Sequence, residues 1–268
     1  MIYSAVSIIM SVYNGERYLS EAVNSILNQT FNDFEFIIVN DASTDDIWGI
    51  LNQYKDKRIS IINNIENVGL TKSLNKGIQA SKGKYIARMD ADDISMPQRI
   101  ALQVDFMERN ENIAILGTDY YPIDELGRRT QAKLDRPITS EEIRKNIFLY
   151  NPFIHSSLMI RKTVLDEFGG YDKRFELAQD YELSLRILSR YEGYNLPKIL
   201  VAFRICKEKL NIKQARKQIY FGILARLKVL KEGLYPSKYY IYLIKDFIRY
   251  ILPYYSFYRG KSKMNPTF

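Results

Sequence analysis

Within the segment KYIARMDADDISMPQR, residues 84–99, the chain places Asp90, Asp92 and Asp93 inside four positions. Carboxylates this close repel one another, so they persist either as a solvated acidic turn or around a positive charge. Hard divalent cations such as Mg2+ and Mn2+ take oxygen ligands, often one or two carboxylates completed by phosphates and water. Read without a cation, the same residues cap the helix that begins near Pro97. Ala91 points away from its two acidic neighbours if the segment is extended.

Whatever positions this cluster must come from the surrounding alternation of short β-branched runs and longer helical patterns, which predicts a parallel sheet with helices on its faces. VSIIM (6–10) is continuously apolar and reads as a strand buried on both sides. Leu19, Ala22, Val23, Ile26 and Leu27 then recur at helical spacing. EFIIVND (35–41), RISIIN (58–63) and KYIARMD (84–90) read as three further strands. STDD offers N-cap residues after the second strand, and TKSLNKGIQAS reads as a short helix closed by Gly83. The acidic cluster therefore falls just past the carboxyl end of a central strand, where open α/β sheets bind ligands. Asp41 follows the second strand, and Tyr13 and Asn14 follow the first. Three strand ends thus bring polar groups to one edge of the sheet.

Beyond residue 110 the reading continues with IAILGTDYY as a strand, SEEIRKNIFL as a helix with a capping-box start, and HSSLMIR as a strand. AQDYELSLRILSRY reads as a helix with Asp180 near its first turn, where the dipole favours an acid. KILVAFR closes the body. From 211 onward, Ile212, Ala215, Ile219, Ile223, Leu227 and Leu230 mark one face of an amphipathic helix, and a second helix spans about 237–251 between Pro236 and Pro253. The expected organisation is a body of residues 1–206 and a helical extension of residues 207–268.

Composition narrows the class. The net charge is +8, yet residues 207–268 hold 14 Lys and Arg against 3 Asp and Glu, a net of +11. Residues 1–206 hold the other 25 basic and 28 acidic side chains, a net of −3. A carboxylate-lined cleft in a net-negative body argues against nucleic acid as a partner. One cysteine, Cys206, and one histidine, His155, argue against a disulfide framework and against a zinc site of the usual ligands. Neither GxGxxG nor GxxxxGK[ST] occurs. The start lacks a basic secretory n-region and no apolar run approaches about 20 residues. The expectation is a cytoplasmic protein, soluble or peripheral on the inner face of the plasma membrane.

Five stretches in order, VSIIMSVYNGERYL, FIIVNDASTDD, NVGLTKSLNKGI, YIARMDADDISMPQR and AQDYELSLR, resemble the family 2 inverting glycosyltransferases of bacterial surface polysaccharide synthesis. The resemblance covers most of residues 5–205 and implies the GT-A fold, a Rossmann-like, mostly parallel sheet flanked by helices. It implies transfer of a sugar, of hexosyltransferase type, from a nucleotide-sugar, with UDP favoured. The acceptor would be a hydroxyl of a glycan or a polyprenyl-diphosphate-linked glycan. By the same resemblance Asp92 is a direct ligand of Mn2+ or Mg2+, and Asp90 contacts the ribose, the metal or a metal-bound water. Asp93 orients the loop. Asp41 accepts from the uracil N3–H, and Tyr13 covers the base, as aromatic faces do. Asn14 lies beside it, and Asn67, Gly69 and Lys72 belong to a loop beside the nucleotide.

Inversion requires one base to take the acceptor's proton. The resemblance assigns this to Asp180, with Glu182 as the alternative. His155, in NPFIHSSLMIRK, aligns with a histidine that faces the active site in such enzymes; the other reading is a satisfied, partly buried side chain. Relatives often carry Arg-x-His where this chain has Arg204-Ile205-Cys206, which leaves Arg204 either on phosphate oxygens or in a structural ion pair.

The 9 tyrosines and 14 cations of residues 207–268 suit an anionic bilayer surface; the alternative is packing on the body or on a second copy in a homo-oligomer. A catalytically silent protein on the same scaffold is the competing function, disfavoured by the joint presence of Asp41, Asp92 and Asp180.

Overall fold

The structure is a computed structural model that describes residues 4–130, 136–206 and 212–251. Strands β1 (Val6–Val12), β2 (Phe34–Asn40), β3 (Ile59–Asn63) and β4 (Tyr85–Asp90) run parallel, linked by helices α1 (Glu16–Leu27), α2 (Ile47–Leu51) and α3 (Leu70–Ala80). The chain continues through β5 (Ile94–Ser95), α4 (Arg99–Arg109), β6 (Ile113–Ile123), α5 (Ser140–Asn146), β7 (Met159–Arg161), α6 (Lys162–Phe168), α7 (Gln179–Leu188) and β8 (Glu192–Arg204). Among the described residues the strands form one sheet in the order β3-β2-β1-β4-β7-β6-β8-β5. β7 is antiparallel to both β4 and β6, and β5 to β8.

The apolar run of β1 has the cause the sequence suggests. Val6, Ile8, Met10 and Val12 face a layer containing Leu19, Val23 and Ile26 of α1, while Ile9 faces Leu74 and Ile78 of α3 on the other side. Each such buried side chain contributes about 1.5–3 kcal/mol. The capping box of α5 is present, with Thr139 Oγ1 accepting from Glu142 N at 3.3 Å and Glu142 Oε2 from Thr139 N at 3.1 Å.

Gly83 does not close α3, which ends at the extended residue Ser81. Instead Gly83 lies against β1, where its N–H donates to Ser7 Oγ at 2.8 Å and a Cβ would stand 2.5 Å from Ser7 N. The sequence shows no sign of α6 (Lys162–Phe168), and of α4 it marks only the start near Pro97, two residues before the observed Arg99. HSSLMIR divides into a 3-10 turn, His155–Ser157, and the short β7.

The C-terminal extension comprises α8 (Ile212–Lys231), a 3-10 turn (Ser237–Tyr240) and α9 (Ile241–Ile251). α8 belongs to the main core: Phe221, Ala225, Val229 and Leu230 are buried in the same cluster as Leu183 and Ile187 of α7. The buried stripe is therefore rotated from the predicted one, since Ala215, Ile219, Ile223 and Leu227 are only half-buried. The reason is electrostatic. Lys228 Nζ reaches Glu182 Oε1 at 2.6 Å and Asp172 Oδ2 at 2.8 Å, and Arg226 Nε donates to the Tyr181 hydroxyl at 2.7 Å. Buried carboxylates demand cations, and α8 turns to supply them. Residues 207–211 and the region of Pro253 lie outside the described residues.

Candidate active site

The strand registers set the first half of the site. Ser11 pairs with Asp90, Val12 with Asn40, and Asn40 with Asn63, so β1–β4 end level with one another. Tyr13, Asp41, Asn64 and Asp90 consequently line one edge. Tyr13 is half exposed and its ring is accessible from that edge. Asp41 is buried and organises the loop after β3: Oδ1 accepts from Asn64 Nδ2 at 2.6 Å and Val68 N at 3.0 Å, and Oδ2 from Gly69 N at 2.8 Å. Two oxygens offer about four acceptor positions, so one remains for a ligand donor. The helix cap after β2 is Asp46, which accepts from Gly49 N at 3.2 Å, and not Asp41.

Asn14 is a bridge between loops. Its φ of 49° places it in the left-handed region, its N–H donates to Ser43 Oγ at 3.2 Å, and its Oδ1 accepts from Thr44 N at 2.9 Å. Asn67 is exposed on the Asp41-held loop, and Lys72 is exposed in the first turn of α3, close enough to Glu176 to lower that carboxyl's pKa together with Lys217.

The acidic loop is built from both sides. Arg88, buried in β4, donates from Nη2 to Asp90 Oδ1 at 2.5 Å, and Ser156 Oγ lies 2.5 Å from Asp90 Oδ2. Ser156 also bonds Asp93, whose Oδ1 accepts from Arg204 N at 2.8 Å. Burial, reinforced by the charges of Asp92 and Asp90, pushes the Asp93 carboxyl well above its usual range. Asp92 is partly exposed at the tip. Among the described residues no three Asp, Glu, His or Cys side chains cluster as a complete metal cage. A pair of adjacent carboxylates on a rim fits a cation whose remaining ligands come from substrate phosphates and water.

Two arginines that clamp this loop were not legible as such. Arg99, fully buried in α4, donates from Nη2 to Arg88 O at 2.7 Å, and its neighbour Gln103 donates to Ser157 O at 2.8 Å. Arg204 donates from Nε to Asp92 O at 2.8 Å and from Nη1 to Asp124 O at 3.1 Å, while Nη2 pairs with Glu21. Its guanidinium also stacks on Tyr18 with 4.2 Å to the ring centroid. Of the two readings of Arg204, the geometry matches the structural ion pair: its donors are turned to the loop's own carbonyls, and the side chain is buried.

The second half of the site comes from residues 151–180. Ala178, with φ 55°, turns the chain into α7, and Asp180 in the first turn accepts from Asn151 Nδ2 at 2.8 Å. His155 Nε2 lies 2.8 Å from the Tyr171 hydroxyl. Burial, then the nearby Arg88 cation, lowers the His155 pKa to about 4, against the opposing pull of Asp180 and Asp90. The ring is neutral at pH 7. Both carboxylates act on His155 and on Tyr171, so the Asp90 rim and the start of α7 share the neighbourhood of this pair. Glu182 does not share it: it is fully buried, paired with Arg186 at 2.6 Å and with Lys228 on the α8 side. Its role as alternative base is thereby corrected.

The mostly parallel sheet flanked by helices, with an acidic rim at its strand ends, is the GT-A fold. The family model described as glycosyl transferase family 2 matches residues 7–169, and the chain belongs to this family. Similar relatives include EpsE of Bacillus subtilis, 34% identical over 92% of this chain and 90% of its own length. The O-antigen biosynthesis glycosyltransferase WbnJ of Escherichia coli is 35% identical over 76% of this chain and 81% of WbnJ. Among solved structures, residues 1–349 of Staphylococcus aureus TarS in complex with UDP-GlcNAc superpose with a TM-score of 0.72 at 18% identity, covering 97% of this chain and 76% of that one. The mannosyltransferase PcManGT of Pyrobaculum calidifontis, in complex with GDP-Man and Mn2+, gives 0.66 at 14% identity over 91% of this chain and 69% of that one. These structures share the GT-A fold. The enzyme is a glycosyltransferase.

Proposed function

We propose that the enzyme transfers a sugar from a UDP-sugar, with inversion, to a hydroxyl of a glycan or polyprenyl-diphosphate-linked glycan at the cytoplasmic leaflet. The observation that carries this reading is the segment 151–157, which holds Asp180 through Asn151 and Asp90 through Ser156. One short segment thus supports both carboxylates to which the reading gives tasks.

Asp41 and the half-exposed Tyr13 receive the base, Asp41 through its remaining acceptor position and Tyr13 through its ring face. Asn14 supports both loops, and Asn67 and Lys72 border the nucleotide. Asp92 and Asp90 would hold Mn2+ or Mg2+, which would neutralise the charge developing on the departing diphosphate. Arg204 keeps the loop in shape by gripping its backbone. Asp180 takes the proton from the acceptor hydroxyl as that oxygen attacks the face opposite the leaving group, a role a carboxylate fills when it lies within hydrogen-bond reach. Asn151 orients it. Relatives in polysaccharide and O-antigen synthesis, and similar folds in complex with UDP, support this donor and acceptor class.

The test is a panel of UDP-, dTDP- and GDP-sugars assayed for hydrolysis with Mn2+. Selective turnover of a UDP-sugar, lost in Asp92→Ala, supports the reading. Selective turnover of another nucleotide's sugar overturns the donor assignment.

A further inference from the structure

The two helices of the extension differ in what they bury. α8 is committed to the core, but α9 has a face that nothing in the described residues covers. Tyr240 (41%), Ile241 (63%), Ile244 (56%), Phe247 (60%) and Tyr250 (40%) are all exposed. Ile241, Ile244, Phe247 and Tyr250 recur every three residues and so lie within one half of the helix surface, with Tyr240 of the preceding turn beside them. Tyr242 and Leu243, by contrast, are partly buried against the core with Tyr239. Tyr220 of α8, itself 45% exposed, extends the patch through its ring contact with Tyr250. Contiguous apolar exposure of this kind marks an interaction surface.

Charge selects the occupant. The patch belongs to a segment, 207–268, with a net charge of +11. The exposed Lys238 sits in the turn leading into α9, and the exposed Arg216 and Lys231 lie towards the two ends of α8. A second copy of the same face would bring two such segments together and repel. An anionic phospholipid surface complements both properties, with aliphatic and aromatic side chains entering the acyl boundary and cations meeting headgroups. At 11 residues α9 is about 16 Å long, too short to cross a hydrocarbon core of about 30 Å. No helix among the described residues is long and apolar enough to do so.

We propose that α9 lies in the headgroup plane of an anionic bilayer, with Ile241, Ile244 and Phe247 inserted. This deepens the reading of a lipid-linked acceptor, because α8 joins α9 to α7, the helix that carries Asp180. The docked face and the site would then share one rigid support.

The test is flotation of the full chain with vesicles of phosphatidylglycerol and phosphatidylcholine, against vesicles of phosphatidylcholine alone, at low and high salt. The wild type is expected to float with the anionic vesicles at least tenfold better than with neutral ones, and salt should weaken it. The triple variant Ile241→Ser, Ile244→Ser, Phe247→Ser should lose at least tenfold in binding while hydrolysing a soluble sugar nucleotide at the wild-type rate. Equal binding by the variant, or no binding by the wild type, overturns the proposal. So does a wild-type dimer that becomes monomeric in the variant without any vesicle binding, which would make the face a contact between copies. Flotation reads no turnover, so its failure leaves the transfer reading standing.

Discussion

Asn151 donates from Nδ2 to Asp180 Oδ2 at 2.8 Å, tying the first turn of α7 to the segment before β7. Phe153 N in turn donates to Asn151 Oδ1 at 3.2 Å, which fixes the amide's orientation. In the proposed mechanism, a carboxylate held this way is aimed before the acceptor arrives. Asp180→Asn should lower kcat for transfer by about 10^2–10^4-fold, with donor binding unchanged. Asn151→Ala leaves the carboxylate in place but loosens it, and should cost on the order of 10–100-fold in kcat. Transfer kinetics with donor affinity measured separately check both. A loss of donor affinity instead of kcat would remove Asp180 from the base role.

Glu182 lies two residues from Asp180 and should behave differently. Its carboxylate is buried between Arg186 and Lys228. Removing one partner of a buried ion pair leaves uncompensated charge, at a cost of about 3–5 kcal/mol. Glu182→Ala should therefore lower the urea midpoint markedly, yet keep most of its kcat where it remains folded. Wild-type stability with abolished turnover would restore Glu182 as a base.

His155 predicts a pH dependence. Its folded pKa is depressed to about 4 from 6.5, so between those values the unfolded chain binds a proton that the folded one refuses. Stability should fall as pH drops through this window, by at most about 3 kcal/mol from this residue. His155→Gln should flatten that limb in denaturant titrations at pH 4–7. An unchanged slope would contradict a partly buried imidazole held neutral.

The sequence carried the strand-end geometry well, because β1, β2 and β4 announce themselves by short, mostly apolar runs and the polar residues just beyond them share a register. It carried the supports poorly. Arg99 carries no local signal, and the sequence leaves Arg204 open between phosphate oxygens and a structural ion pair; only the folded chain shows that their donors are spent on Arg88 O and on the carbonyls of Asp92 and Asp124. The helical pattern of α8 gave its existence but not its rotation, which depends on where Asp172 and Glu182 are buried. Gly83 reads as a helix stop until β1 is seen to approach it. The pairing of Asn151 with Asp180 spans 29 residues, and no local pattern signals it.

In the proposed function, the rim formed by Asp90 and Asp92 binds a nucleotide diphosphate through a divalent cation. Calorimetric titration of UDP into the full chain, with Mn2+ and then with EDTA, tests it most directly. Binding at least tenfold tighter with Mn2+, with that gain lost in Asp92→Ala, is the predicted result. Equal affinity in both buffers, or an undiminished Mn2+ effect in the variant, would contradict it.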